Sequence, residues 1–110
     1  LAQPPLYRIA QGPQTLYARD DAHKAELLKT TFTGRGKVEI SRFKGLGEMP
    51  ATQLNATTMD PAHRTLLRVI VADKKARETD DLVERLMGRK PELRFQFIQE
   101  HARMVEEVDV

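Results

Sequence analysis

Glycine and proline cut this chain into short elements, and those cuts constrain the fold more than any other feature. They fall at Gln11-Gly12-Pro13, Thr33-Gly34-Arg35-Gly36, Gly45-Leu46-Gly47, Met59-Asp60-Pro61, and Gly88 with Pro91. Glycine admits backbone conformations closed to other residues, and proline withholds the amide that a helix or ladder needs. Between the cuts the apolar residues recur with two different periods. Tyr7 and Ile9 alternate with more polar neighbours and Leu16-Tyr17-Ala18 returns, which predicts a hairpin over 5–19. Asp20 or Asp21 suits the N-cap of a helix carrying Ala22, Ala25 and Leu28 and ending near Thr30. Residues 37–43 predict a strand with Val38 and Ile40 on one side and Glu39 and Ser41 on the other.

Beyond the glycine turn, Pro50 suits the first position of a short helix ending near Thr57. Leu66 to Val71 is nearly continuous apolar sequence, interrupted by Arg68, and predicts a short strand covered on both faces. Thr79 is expected to cap the next helix, with Asp80 and Asp81 in its first turn and Gly88 at its end. Its buried stripe would be Leu82, Val83, Leu86 and Met87. Pro91 opens a last helix in which Phe95, Ile98, Ala102 and Val105 recur at helical spacing, a core or subunit contact. Strands in the first half and helices in the second give the α+β class, or a fragment of an α/β sheet with C-terminal helices.

With 110 residues, 40% of them apolar, the chain has room for one modest core, as one domain or part of a larger one. It opens on LAQPPLY without an initiator Met, which suits an excised fragment. The apolar runs are far short of a membrane span and no segment reads as a signal peptide, so no membrane partner is expected. The absence of cysteine removes disulfides and thiolate metal sites and is compatible with a cytoplasmic location. The net charge of +2 hides an asymmetry: residues 1–48 carry eight Lys and Arg against five Asp and Glu. The excess is densest at Arg35, Lys37, Arg42 and Lys44, opposed only by Glu39. Such a group is either an ordinary solvated face or a surface that meets phosphate.

At the end of the predicted cationic strand stands K-G-L-G-E, residues 44–48. Gly45 and Gly47 let the main chain come close to a ligand, and successive amides in such a turn form an anion-binding concavity. Lys44 adds a compact charge, Arg42 is expected on the same strand face, and the helix starting near Pro50 would add its positive end. The alternative is a strand-to-helix turn that uses glycine for geometry alone. Glu48 is a candidate for positioning a metal or a base, against the plainer role of a cap or surface charge. His23, His63 and His101 lie far apart without a ligand partner at i+4, which argues against zinc. Tyr7 and Tyr17 could act as nucleophiles, but paired tyrosines in a hairpin are expected to serve packing. No Ser-His-Asp arrangement, Walker loop or D-x-D motif occurs.

A longer string of motifs is more specific. RFKGLGEM at 42–49, QL at 53–54, TTMDP at 57–61 and RTLLRV at 64–69 resemble the B subunit of bacterial type IIA DNA topoisomerases, gyrase and topoisomerase IV. AQPPLYR at 2–8 is similar to the strand that follows the metal-binding aspartates in that family, and MGRKPELRFQFIQEHA at 87–102 to its C-terminal tail, which ends in a sequence such as VDV at 108–110. ETDDLVERLMGRKPELR resembles the topoisomerase IV branch more than the gyrase branch. One departure is that Met49-Pro50 stands where one or two further residues are expected before the helix.

The resemblance implies a TOPRIM fold, of which residues 1–72 are the C-terminal half and sheet extension, with 73–110 as a helical tail packed on it in one compact unit. It implies duplex DNA and the breakage-reunion A subunit as partners, in a heterotetramer. Lys44 and Arg42 would contact the DNA backbone, Gly45 and Gly47 would let the turn approach it, and Glu48, Gln53, Thr57 and Asp60 would brace the turn and the subunit interface. The family's catalytic glutamate and Mg²⁺-binding D-x-D pair should precede residue 1, and the ATP site lies further upstream. Asp20-Asp21 and Asp80-Asp81 have the wrong spacing and context for them. No catalytic residue and no cofactor are therefore expected here, the chain is expected to be inactive alone, and its uncovered sheet edge and apolar surface favour self-association. The competing function is a docking piece that only seats the B subunit on its partner.

Overall fold

The computed structural model describes residues 1–105 and 108; most of the expected VDV ending at 108–110 lies outside the described residues. The chain divides into two compact units, Leu1–Arg68 and Val69–Val110.

The first unit is built on a hairpin. Strand β2, Tyr7–Gln11, pairs antiparallel with β3, Gln14–Ala18, across a turn in which Gly12 has φ +57°. That left-handed conformation is the reason for glycine there. Helix α1, Asp21–Thr30, follows at once; the Asp20 side chain accepts the His23 amide at 2.8 Å, satisfying one of the donors left open at a helix start. Strand β4, Glu39–Arg42, pairs antiparallel with the other edge of β2, giving the order β3-β2-β4. The Gln11 amide group donates to the carbonyls of Gly34 and Gly36, both at 3.0 Å, and so pins the loop that leads into β4.

Period-two alternation puts Tyr7, Ile9 and Ala18 on one face of this sheet. There they are buried with Phe32, and Leu6, Leu16, Leu27, Leu28 and Val38 pack around them. Ile9 is fully buried, which alone contributes about 1.5–3 kcal/mol. Tyr7 is closed over by polar groups: its hydroxyl donates to Asp21 Oδ1 at 2.5 Å and Lys24 Nζ lies 4.4 Å from its ring centroid. Tyr17 pairs with Arg8 in register and takes the opposite face, where it is half-buried.

Past the glycine turn come a short helix α2, Ala51–Leu54, and a wider five-residue helical turn, Asn55–Met59, closed by Asp60 N–H donating to the Asn55 carbonyl at 2.8 Å. Pro50 has φ −58° and ψ 154° and precedes the helix as its cap, one position earlier than expected. A second sheet joins β1, Ala2–Gln3, to β5, Thr65–Leu66. The strand expected over Leu66–Val71 therefore stops almost where it starts. Its ladder partner supplies two residues and the Leu1 carbonyl, which accepts from Leu67 N–H at 2.8 Å. Beyond it Val69 and Ile70 are 70% and 81% exposed rather than covered.

The second unit is a pair of helices, α3 (Ala76–Met87) and α4 (Pro91–His101). Helix α3 begins at Ala76, so Thr79 is inside it rather than its cap, and Glu78 is the acid of its first turn. Gly88 ends it and Pro91 opens α4, as expected. The helix faces differ from expectation. Leu82, Val83 and Met87 are exposed, as are Phe95, Ile98 and Val105. The α4 residues turned inward are Leu93, Arg94, Phe97 and His101; Phe97 stacks on His101 at 4.0 Å and carries Arg85 over its ring at 5.6 Å, while Arg85 pairs with Glu100 at 3.2 Å. Every strand pair among the described residues is antiparallel, so the fold is α+β.

Candidate functional site

The K-G-L-G-E turn is carried by the end of β4. Phe43 N–H donates to the Leu6 carbonyl at 2.8 Å, and Leu6 N–H to the Ala18 carbonyl at 2.9 Å, so Leu6 sits between the ends of β3 and β4 and ties the turn to the sheet. Leu46–Glu48 form one tight helical turn. Glu48 reaches back and accepts the Lys44 amide at 2.8 Å, which closes the loop on itself and fixes where the Lys44 side chain starts. Glu48 is thus a brace of the turn. Met49, directly after, is buried and anchors it from below.

The glycines do not serve the backbone. Gly45 is extended, at φ −176°, and among the described residues only Gly12 and Gly36 have positive φ. A Cβ at Gly45 or Gly47 would meet no atom within 4 Å. Neither conformation nor packing demands glycine here; both positions border open space. The helical segment expected after the turn begins at Ala51 and runs through Met59.

Gln53, Thr57 and Asp60, expected as braces, follow the turn in sequence. The Thr57 hydroxyl donates to the Gln53 carbonyl at 2.8 Å and lies 4.0 Å from Met49 Sδ, linking the helical segment to the residue that anchors the turn. Asp60 ends that segment: its Oδ1 accepts the Ala62 amide at 3.0 Å and its Oδ2 meets His63 Nδ1 at 2.9 Å. The hydrogen bond from His63, then that from the Ala62 amide, hold the Asp60 carboxyl below its ordinary value.

The expected cationic group is not assembled. Arg35 and Lys37 precede β4 and Lys44 follows it, so the four-residue strand lies between them. Arg42 pairs in register with Tyr7 and takes the inner face, with its Nε and Nη1 atoms shielded from solvent. It does not share an exposed face with Lys44. The basic residue that joins Lys44 is Arg19, just past β3. Both line a groove of about 290 Å³ with Pro5, Phe43, Gly45 and Leu46. A second groove, of about 380 Å³, shares Arg19 and Pro5 with the first and adds Tyr17, His23 and His63. His23 and His63, forty residues apart, thus line one groove, which their spacing gave no sign of.

The residues present do not fit the Mg²⁺ that the resemblance implies. Among the described residues no group of three or more His, Asp and Glu side chains is placed to hold a metal. Asp20 caps α1 and Asp21 accepts from Tyr7. No helix among the described residues is long and apolar enough to cross a membrane.

Comparison with known proteins agrees with the motif string. Residues 35–99 match the family "DNA gyrase B subunit, carboxyl terminus". The chain is 60% identical over 110 residues to the B subunit of DNA topoisomerase 4 from Bartonella bacilliformis, covering all of this chain and 16% of the relative. It is 65% identical over 102 residues to the Caulobacter vibrioides B subunit of DNA topoisomerase 4, covering 93% and 14%. The B subunit of DNA gyrase from Halalkalibacterium halodurans is 46% identical over 110 residues, covering 100% and 17%. The chain thus spans about one-sixth of the length of such relatives, and the higher identities fall on the topoisomerase IV side, as the 78–94 segment suggested. Matched over more than half its length, the chain belongs to the carboxyl-terminal family of DNA gyrase B subunits, within its topoisomerase IV branch.

Proposed function

We propose that this chain is the part of a type II DNA topoisomerase B subunit that holds the DNA backbone and meets the A subunit during cleavage and religation. The observation that carries this is the turn at 44–48. Lys44 is exposed at its start, Glu48 fixes its backbone, and both glycines border space that the fold itself does not need. A turn that keeps two side chains out of open space, beside a lysine, suits the close approach of a phosphodiester. Arg42 acts at one remove: from the inner face it contributes positive potential and does not touch the strand directly. Gln53, Thr57 and Asp60 hold the segment behind the turn. Mg²⁺ and ATP would be held by other parts of the parent protein, so the chain alone neither cleaves nor relaxes DNA.

The test is duplex binding as a function of salt. Phosphate contacts release counterions, so Lys44→Ala should lower the slope of log K against log salt by about 0.9, the increment for one phosphate no longer neutralised. Its thermal unfolding should match that of the unsubstituted chain, because Lys44 lies outside the core. Unchanged DNA binding by Lys44→Ala would leave the turn as scaffold and favour the docking function. Plasmid relaxation by the purified chain would contradict its inactivity alone.

A further inference from the structure

We propose that the groove between Arg19, His23 and His63 is a second phosphate-binding site, which continues the DNA track from Lys44 along the same face of the first unit. The inference rests on the DNA-backbone function proposed for the turn and extends it to residues that no motif marks. The two grooves share Arg19 and Pro5, so a strand leaving Lys44 meets Arg19 next.

The lining is selective for an anion. Among the described residues no Asp or Glu lines either groove, in a chain with 16 of them. Hydrogen bonding also fixes what the histidines offer. His23 Nδ1 accepts the Arg19 amide at 3.0 Å, so the neutral ring carries its proton on Nε2 and is a donor there. His63 is oriented by Asp60 through Nδ1 at 2.9 Å; a carboxylate accepts, so that nitrogen is the donor and Nε2 is left for a ligand. The Asp60 carboxylate holds the ring of His63 in this orientation at the rim of the groove. Arg19, Tyr17, His23 and His63, all among the lining residues, carry the polar side chains from which an anion's hydrogen bonds would come. Arg19 uses its backbone amide, not its side chain, to set His23, so changing the side chain leaves that arrangement in place.

The experiment follows the His23 and His63 ring signals by NMR while the 110-residue chain is titrated with a short DNA duplex and, separately, with inorganic phosphate. Both rings should shift with duplex, Arg19→Gln should abolish the shifts, and the same variant should lower the salt slope of binding by about 0.9. Arg19→Lys should restore the slope. An amide spectrum unchanged by Arg19→Gln excludes misfolding as the cause. Rings that stay still with duplex overturn the proposal, whether or not phosphate moves them and whatever Lys44→Ala does. Rings that shift with duplex while Lys44→Ala binds normally would support this groove and remove the turn from the track. The two proposals therefore fail separately.

Discussion

Gly47→Ala separates a glycine kept for its fold from a glycine kept for a ligand. The new methyl meets no atom within 4 Å, and the position lacks a positive φ. Nothing in the folded chain should resist it. The unfolded chain loses freedom, so the substitution should stabilise by about 0.4–1 kcal/mol, a rise of a few degrees in Tm for a domain of this size. Gly12→Ala is the control. There too a Cβ meets nothing, but φ is +57°, so the left-handed strain should cost about 1–2 kcal/mol. DNA binding should move the opposite way. A methyl between the turn and a phosphate breaks a charge-assisted contact worth about 1.5–3 kcal/mol, which is roughly tenfold or more in Kd. Thermal unfolding and fluorescence anisotropy with a labelled duplex, measured on the same samples, give both numbers. Gly47→Ala that is more stable yet binds worse supports the reasoning. Wild-type affinity would show that the open space is unused, and a loss of stability would show that the backbone needed glycine after all. Because Gly47 has no positive φ, a larger side chain there would not act by straining the turn.

Three further outcomes follow from the packing. Ile9→Ala empties the best-buried position of the sheet and should cost about 2–5 kcal/mol, read from urea unfolding; a cost under about 1 kcal/mol would mean the core lies elsewhere. Asp60 has a folded-state value below its unfolded one, so its stabilisation is fully present above the ordinary carboxylate range and is lost as pH falls through the depressed value. Tm curves of the unsubstituted chain and Asp60→Asn should therefore approach each other in acid, and a constant offset at all pH would refute the link. The exposed run Leu66, Leu67, Val69, Ile70 and Val71 presents apolar surface that invites association, so light scattering should show dimers or larger species at high concentration; a strict monomer would count against it.

Local chemistry was legible in the sequence, and choices that depend on a partner were not. Asp20 as cap, Gly12 in the hairpin turn, Gly88 after α3 and Pro91 at the start of α4 each depend on a few neighbouring residues, and each is where the residue types place it. Helix faces depend on what lies opposite. LRFQFI in α4 offers two apolar stripes, and the half-buried one is Leu93 and Phe97, the latter under Arg85 of α3, rather than Phe95 and Ile98. For the same reason Leu66–Val71 is apolar enough for a covered strand yet has a ladder partner for only its first residues.

The site divides in the same way. Arg42 carried a usable signal: Val38, Ile40 and Arg42 share parity, so a strand that turns Ile40 toward Ile9 must turn Arg42 toward Tyr7. Lys44 escapes that alternation because β4 ends at Arg42. Arg19 had no such signal, since nothing near residue 19 points to residue 44. What joins them is the register of three strands. Leu6 donates to the Ala18 carbonyl and accepts from the Phe43 amide, so the residues that follow Ala18 and Phe43 leave the sheet on either side of Pro5. A one-residue slip of β4 against β2 would turn Arg42 outward, move Lys44 away from Arg19 and divide the groove. The geometry that brings these two cations to one groove is therefore the same geometry that buries Ile9, and DNA affinity should fall with any change that shifts the register, even where no cation is altered.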